Sequence, residues 1–520
     1  MKRTVKNITV AAALAQIGGA AFAKDAKPNI LVIYTDDHGY ADLSCQGVFT
    51  DVKTPNLDRL ALGGVRMTDG HSTAPQCVPS RCGLMTGQYQ NKLGVESNEQ
   101  FNVPGGLDGF NKTQTIAERL KAAGYATGMA GKWHLGQEKE IVNHGFDQVF
   151  YKNSSRPGYA NFDLKGRDVP AGPENTGLYH LDACSAAACA FIKRYQDKPF
   201  FFYLAYRAPH VPLDPLEKYL ARFPGEMPEC RRRALAMLSA VDDGVGQIVQ
   251  TLRDLKLEEK TLIFVIGDNG APLKISKPDK PDDIGWDGSL NDPMNGEKGM
   301  LTEGGMRVPF LVYWKGVIPG GQVYSNPVIS LDVAASALAL AGLPHDPALD
   351  GVNLIPYLTG QKTGAPHEAL YWRWSGQSAI RKGPWKYLKA GNREYLFDMA
   401  NDFEEKHNLI AQKPELAREL RTQVQAWSET LQPPGLDTQK ISTQAQEYFD
   451  YYLDGKRTAP VPIAGGAGLF KARDVNLDEK VTLEEFLGNA EGRNVPALKK
   501  RFEALDKNGD GFWGRGEITK

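Results

Sequence analysis

The sequence predicts an α/β protein: a mixed sheet sandwiched by helices, with a smaller sheet-plus-helix subdomain and an appended helical module. Three apolar runs carry the first part. They are NILVIYTDDHGY from Asn29, FFFYLAYRAPH from Phe200 and TLIFVIGDNG from Thr261. Short continuous apolar runs suit central strands covered on both faces. Helical patterns such as TIAERLKAAGY and CRRRALAMLSAVDDGVGQIVQTLRDL lie between them, and alternating strands and helices build a sheet with helices on each side. Each run ends in polar residues: Asp36 and Asp37, then His210, then Asp268 and Asn269. Ligands bind such sheets beyond the carboxyl ends of the strands, which is where all five fall.

The chain opens with Lys2, Arg3 and Lys6, an Ala-rich apolar stretch from Ile8, and Ala21-Phe22-Ala23. This is the pattern of a cleaved export signal over 1–23. The expected product is a soluble, exported protein, periplasmic or secreted. No later run has the roughly 18 apolar residues of a membrane span. The α/β domain is expected over 24–345. Beyond Leu343 the texture changes. AIRKGPWKYLKAGNREYLFDM reads as short strands and turns, and KPELARELRTQVQAWSETL as an amphipathic helix with proline at its start. These define a second, antiparallel subdomain over 346–432. Residues 433–465 read as a linker or surface strap with one aromatic patch, EYFDYYLDG.

The tail, 466–520, repeats. DVNLDEKVTLEE begins at Asp474 and DKNGDGFWGRGE at Asp506. Oxygen side chains at positions 1, 3, 5 and 12 are Asp474, Asn476, Asp478 and Glu485 in one loop, and Asp506, Asn508, Asp510 and Glu517 in the other. Alternate oxygens closed by a bidentate Glu are what a seven-coordinate calcium ion needs, so the tail reads as an EF-hand-like pair. Glu479 replaces the turn glycine in the first loop, whereas Gly511 keeps it in the second.

Lys plus Arg number 61 and Asp plus Glu 62. That balance calls for neither nucleic acid nor membrane as partner, so a charged substrate must be bound by local residues. Six cysteines are present. Cys184 and Cys189, in an Ala-rich helical stretch, read as small core residues, and their spacing suggests no zinc site. Cys77 differs. It opens CVPSRCGLMTG, with Arg81 four residues on, the cation that a reactive cysteine needs to stabilise its anion.

Asp36, Asp37, Asp268 and Asn269 offer only oxygen ligands, which suits calcium or magnesium. Lys132 and His134 in GKWHLG share one side if that stretch is extended. His210 follows a proline, and Lys298 sits in the Gly-rich GEKGMLTEGGMRVP. A metal and several cations around a reactive cysteine describe a site for a small tetrahedral oxyanion.

Here the chain resembles a type I, formylglycine-dependent sulfatase of the alkaline-phosphatase-like superfamily. The signature is C-x-P-S-R at Cys77, accompanied in order by DDHGY, GKWHLG, PHVP, GDNG and KGMLTEGGMRVP over residues 27 to 430. The resemblance implies that a formylglycine-generating or sulfatase-maturating enzyme converts Cys77 to 3-oxoalanine (formylglycine). Hydrated to a geminal diol, it attacks sulfur with one hydroxyl, displacing the alcohol. The second hydroxyl then expels sulfate. Asp36, Asp37, Asp268 and Asn269 resemble the ligands of a calcium ion that also meets the modified Cys77. Arg81 favours the ionised diol. Lys132 and His134 resemble groups that hold the nucleophile and polarise the ester, His210 the acid for the leaving alkoxide, and Lys298 the sulfate-binding lysine.

A phosphonate or phosphodiester hydrolase of the same superfamily is the nearest alternative. A non-catalytic binder of sulfated glycan, with Cys77 unmodified, is another. A sulfated carbohydrate is the expected substrate. Trp372, Arg373 and Trp374 are candidates for contacting it, since aromatic faces suit sugar rings and arginine suits anions.

Overall fold

The computed structural model describes residues 27–273, 287–433, 441–456, 480–487, 499, 502–503, 505–514 and 517. The expected export signal over 1–23, and with it Asp474, Asn476 and Asp478, lie outside these residues.

The three apolar runs become Asn29–Asp36, Phe200–Pro209 and Thr261–Gly267, the fully buried heart of a ten-stranded mixed sheet. Asn29–Asp36 is central, parallel to both others; Ala126–Gly131 and Gln148–Tyr151 extend the parallel set. Phe310–Tyr313 runs antiparallel against Thr261–Gly267 and begins the edge formed with Val65–Met67 and Gln322–Tyr324. Alternation along the central strand feeds two cores. Ile30, Val32 and Tyr34 pack with Val78, Ile116 and Ala334 on one face. Leu31 and Ile33 pack with Ala187, Leu235 and Val245 on the other. The helices behind these residues are Cys77–Thr86, Ile116–Ala122 and Asp332–Leu340 on one side, and His180–Arg194 and Glu229–Asp254 on the other.

The second sheet is a four-stranded antiparallel meander, Ala369–Trp374, Gln377–Lys382, Trp385–Ala390 and Arg393–Asp398, backed by the helix Pro414–Glu429. The aromatic patch expected in a linker forms the helix Thr443–Tyr452 instead. Phe449 is wholly buried in it, and Arg393 pairs with Asp450 at 2.6 Å and Asp454 at 3.1 Å. Its aromatics complete the core over the meander's other face, with Trp372, Leu388 and Phe397.

In the tail, Lys480–Thr482 pairs antiparallel with Phe512–Gly514 over a cluster of Val481, Phe486, Phe502 and Trp513. Cys45, Cys77, Cys82, Cys184 and Cys189 form no disulfide. Among the described residues no helix is long and apolar enough to cross a membrane.

Candidate active site

Four neighbouring parallel strands deliver the site at their carboxyl ends. Asp36 ends one strand and Asp37 follows; Asp268 and Asn269 follow Thr261–Gly267, His210 follows Phe200–Pro209, and Lys132 follows Ala126–Gly131. Gly131, at φ +99°, lies so close to the next strand that a Cβ would sit 1.9 Å from the Ala205 carbonyl oxygen. Lys132 N–H donates to that same oxygen at 2.8 Å. Only glycine allows this approach. Asp37 and His134 hold left-handed backbone, at φ +56° and +62°. Such conformations cost about 1–3 kcal/mol each and collect at functional sites. His134 is therefore not on an extended segment, as the shared-face expectation required.

Cys77 is the first residue of the helix Cys77–Thr86, every residue of which is buried. The helix starts at the cysteine itself, so Pro79 and Ser80 lie in its first turn, where proline costs no hydrogen bond. Asn98 Oδ1 accepts the Val78 N–H at 2.9 Å, satisfying one free amide of that turn. Ser80 Oγ donates to the Asp268 carbonyl at 2.5 Å, tying the helix to the neighbouring strand end.

The thiol Sγ stands 3.3 Å from Asp36 Oδ1 and 3.4 Å from Lys298 Nζ. Lys298 Nζ reaches Asp37 Oδ1 at 2.6 Å, and Lys132 Nζ reaches Asp36 Oδ2 at 2.6 Å. His210 Nε2 faces Asp37 Oδ2 at 3.5 Å, while its Nδ1 lies 2.7 Å from the Val211 carbonyl, an acceptor that fixes the ring. Arg81 pairs with Asp268 Oδ2 at 2.8 Å and Asp36 Oδ1 at 3.4 Å, donates to Tyr203 and the Lys132 carbonyl, and lies over the Tyr34 ring.

Arg81 thus holds the two carboxylates, and it also interacts electrostatically with Cys77. Burial, reinforced by Asp268, pushes the Cys77 thiol up, and Lys132 and Lys298 do not offset it. An unmodified thiol here is a poor nucleophile. Burial also opposes the Asp36 carboxylate, but Lys132, His210 and Arg81 together hold it well below the usual range. Burial, then Asp36, pushes Asp268 up to about 7. Burial, then Lys132 and Arg81, pushes His134 down to about 2, so its imidazole is neutral.

The residues fit a hard cation. Ligand atoms of Asp36, Asp37, Cys77 and His210 lie within 4.8 Å of one another. Asp37 Oδ2 and Asn269 Oδ1 are buried without a hydrogen-bond partner. Unpartnered buried oxygens are costly unless something positive meets them.

A second ligand-like group, Asp69, His71 and Glu303, also converges. Arg307 and Arg381 already occupy Asp69, and Arg307 and Lys386 occupy Glu303. The tail is different again. Glu517 accepts N–H bonds from Lys507, Asn508 and Gly514, and Asp506 from Asp510 and Gly511. Glu485 caps its own helix through Thr482. These carboxylates are turned to backbone amides.

Of the three residues suggested for substrate contact, Trp372 is buried with its indole N–H on the Ser72 carbonyl. Arg373 is buried on Glu96 at 2.6 Å. Both are structural. Trp374 is half-buried, its indole edge 3.7 Å from where a Cβ on Gly299 would stand.

Residues 28–343 match the sulfatase family, and residues 296–430 match the C-terminal region of N-sulphoglucosamine sulphohydrolase. The chain belongs to the sulfatase family and is a sulfuric ester hydrolase. It is 34% identical to N-acetylgalactosamine-6-sulfatase of Canis lupus familiaris, over 69% of this chain and 71% of the relative. The N-acetylgalactosamine-6-O-sulfatase of Bacteroides thetaiotaomicron is 29% identical over 76% of this chain and 92% of its own length. The crystal structure of Ps i-CgsB in complex with k-i-k-neocarrahexaose superposes with a TM-score of 0.69 at 30% identity, covering 82% of this chain and 97% of that one. A phosphonate monoester hydrolase of Agrobacterium radiobacter shares the fold at 20% identity and a TM-score of 0.56, over 78% of this chain and 96% of that one.

Proposed function

We propose that this sulfatase is exported and removes sulfate from a sulfated carbohydrate, with formylglycine made from Cys77 as nucleophile. One observation carries the reading: Cys77 Sγ, marking where the oxygens of the modified residue would lie, sits between Asp36 and Lys298 at the mouth of four strand ends. Two of the relatives named above are N-acetylgalactosamine-6-sulfatases and one structure was solved in complex with k-i-k-neocarrahexaose, which favours a sugar. A maturating enzyme must act before the site closes, because Cys77 is wholly buried.

Formylglycine, once hydrated, supplies one hydroxyl to attack sulfur and a second to release sulfate. Asp36, Asp37, Asp268 and Asn269 would hold calcium, which supplies positive charge to the nucleophile and a sulfate oxygen. Lys298 binds the sulfate, and Lys132 and neutral His134 orient the nucleophile and the ester. His210, its ring fixed by Val211, protonates the departing alkoxide, a role worth ~10²–10⁴-fold. Arg81 sets the positions of Asp36 and Asp268. The tail loops bind calcium independently, Asp506 to Glu517 more tightly because Gly511 permits the turn. Turnover of an aryl sulfate against an aryl phosphate diester, alongside sulfated oligosaccharides, tests this. Sulfate esters should be hydrolysed faster by orders of magnitude. Faster cleavage of the diester would favour the phosphodiesterase alternative.

A further inference from the structure

Lys298 is only as well placed as the loop that carries it. On one side, main-chain groups of the large domain hold that loop: Lys298 N–H donates to the Ala271 carbonyl at 3.2 Å and Gly299 N–H to the Pro75 carbonyl at 3.0 Å. Pro75 lies two residues before Cys77, so this contact ties lysine and nucleophile together.

The other side is held by residues from beyond the large domain. Gln377, at the start of the strand Gln377–Lys382, is 1% exposed. Its Nε2 donates to the Gly299 carbonyl at 2.9 Å, and its Oε1 accepts the Leu301 N–H at 2.9 Å. Both ends of one buried amide thus serve the lysine loop. Tyr452, the last residue of the helix Thr443–Tyr452, donates its hydroxyl to Glu297 Oε1 at 3.0 Å. Its carbonyl accepts Asn295 Nδ2 at 2.8 Å. Glu297 Oε2 accepts the Leu273 N–H at 2.7 Å, near the end of the strand that brings Asp268. The residues immediately before and after Lys298 are therefore anchored by Tyr452 and Gln377. Burial and Glu297 keep the Tyr452 hydroxyl protonated, so it remains a donor.

We infer that Gln377 and Tyr452 are positioning residues for Lys298, so that the catalytic unit extends through the helix Thr443–Tyr452, past residue 430 where the family match ends. The inference rests on the reading of Lys298 as the group that binds sulfate. A lysine's four-carbon stem is flexible, so the loop beneath it must fix where the ammonium can sit, because small misplacements in a site carry large rate costs.

The test uses the full-length, matured protein and inorganic sulfate as the probe. Tyr452→Phe keeps the packed ring and loses only the hydroxyl; Gln377→Leu keeps the volume and loses both amide contacts. Each should raise the sulfate inhibition constant and the KM for an aryl sulfate about threefold to tenfold, the scale of one lost hydrogen bond to a charged or loop-fixing group. Tyr395→Phe is the structural control. Its hydroxyl bonds Asp454 at 2.9 Å and docks the helix without touching the loop, so it should lower Tm and leave sulfate inhibition unchanged. Lys298→Ala separates the two readings. If it leaves sulfate inhibition unchanged, the role of Lys298 falls and this inference with it. If Lys298→Ala weakens sulfate while Tyr452→Phe and Gln377→Leu change Tm alone, the lysine stands and the positioning role is overturned.

Discussion

Two of the buried charge clusters among the described residues are nearly the same in composition. At the active site Asp36, Asp37 and Asp268 meet Arg81, Lys132 and Lys298, with His134 and His210 alongside. Between the two sheets Asp69, Glu303 and Glu405 meet Arg307, Arg381 and Lys386, with His71. Each holds one carboxyl that burial pushes up to about 7, Asp268 in the first and Glu405 in the second. The difference lies in access and in the cysteine that one of them holds. The side chains of Lys298 and His210 are 15% and 26% exposed, whereas those of Lys386 and Glu303 are 1%. Asn269 Oδ1, buried without a hydrogen-bond partner, borders the site, and Cys77 sits among its charges. In the second cluster arginines and a lysine bridge the acids and join the subdomains. Charge density alone therefore does not mark a site; a cysteine among the charges at a partly exposed edge does.

The largest effect should come from the residue that only one cluster has. Cys77→Ala is expected to abolish turnover of an aryl sulfate, while Cys82→Ala, buried one turn further along the helix, keeps most of it. Steady-state rates of both purified variants check this. His210→Ala should lose ~10²–10⁴-fold on a substrate with a poor leaving group and far less on an activated phenol sulfate, which departs without a proton. Equal losses on both would remove His210 from the acid role.

The second cluster should answer in stability rather than rate. Lys386→Met removes the ammonium 2.7 and 2.8 Å from Glu303 and Glu405, leaving Glu303 to Arg307 and Glu405 without its ion pair. A broken buried pair of this kind costs about 3–5 kcal/mol, read by denaturant unfolding. Glu405 adds a pH signature. Its folded-state pKa is raised, so between about 4.5 and 7 the folded protein holds a proton that the unfolded chain has lost. Stability from this group is present below that window and is lost as pH rises through it. Glu405→Gln should flatten that slope, measured as Tm against pH. The smallest effect is expected for deletion of 461–520, which should leave aryl sulfate hydrolysis nearly intact and cost calcium binding or heat stability. Loss of turnover in a folded truncation would place the tail over the pocket.

Residues of the cluster around Cys77 could be read in the sequence, and those of the second cluster could not. Asp36, His210 and Asp268 each close a buried apolar run, so an apolar run followed by a polar residue exposes their position; Lys132 follows the Gly- and Ala-rich strand Ala126–Gly131, which gives no such run. Asp69, His71, Lys386 and Glu405 share no such pattern; they meet because two sheets pack together, which no local period records. The same reason hid Gln377 and Tyr452. Arg373 beside two tryptophans reads in the sequence as a candidate substrate contact, and its pairing with Glu96 appears only in the fold. His134 was placed by a strand period that its left-handed backbone breaks.

The central claim is that Cys77 acts as a modified residue rather than as a thiol. The mass of the peptide bearing Cys77, taken from active protein and compared with the peptide bearing Cys184, tests it most directly. The Cys77 peptide should show sulfur exchanged for oxygen with loss of two hydrogens, and the extent of that change should track specific activity across preparations. The Cys184 peptide should carry an ordinary thiol. Fully active protein with an unmodified Cys77 thiol would contradict the account.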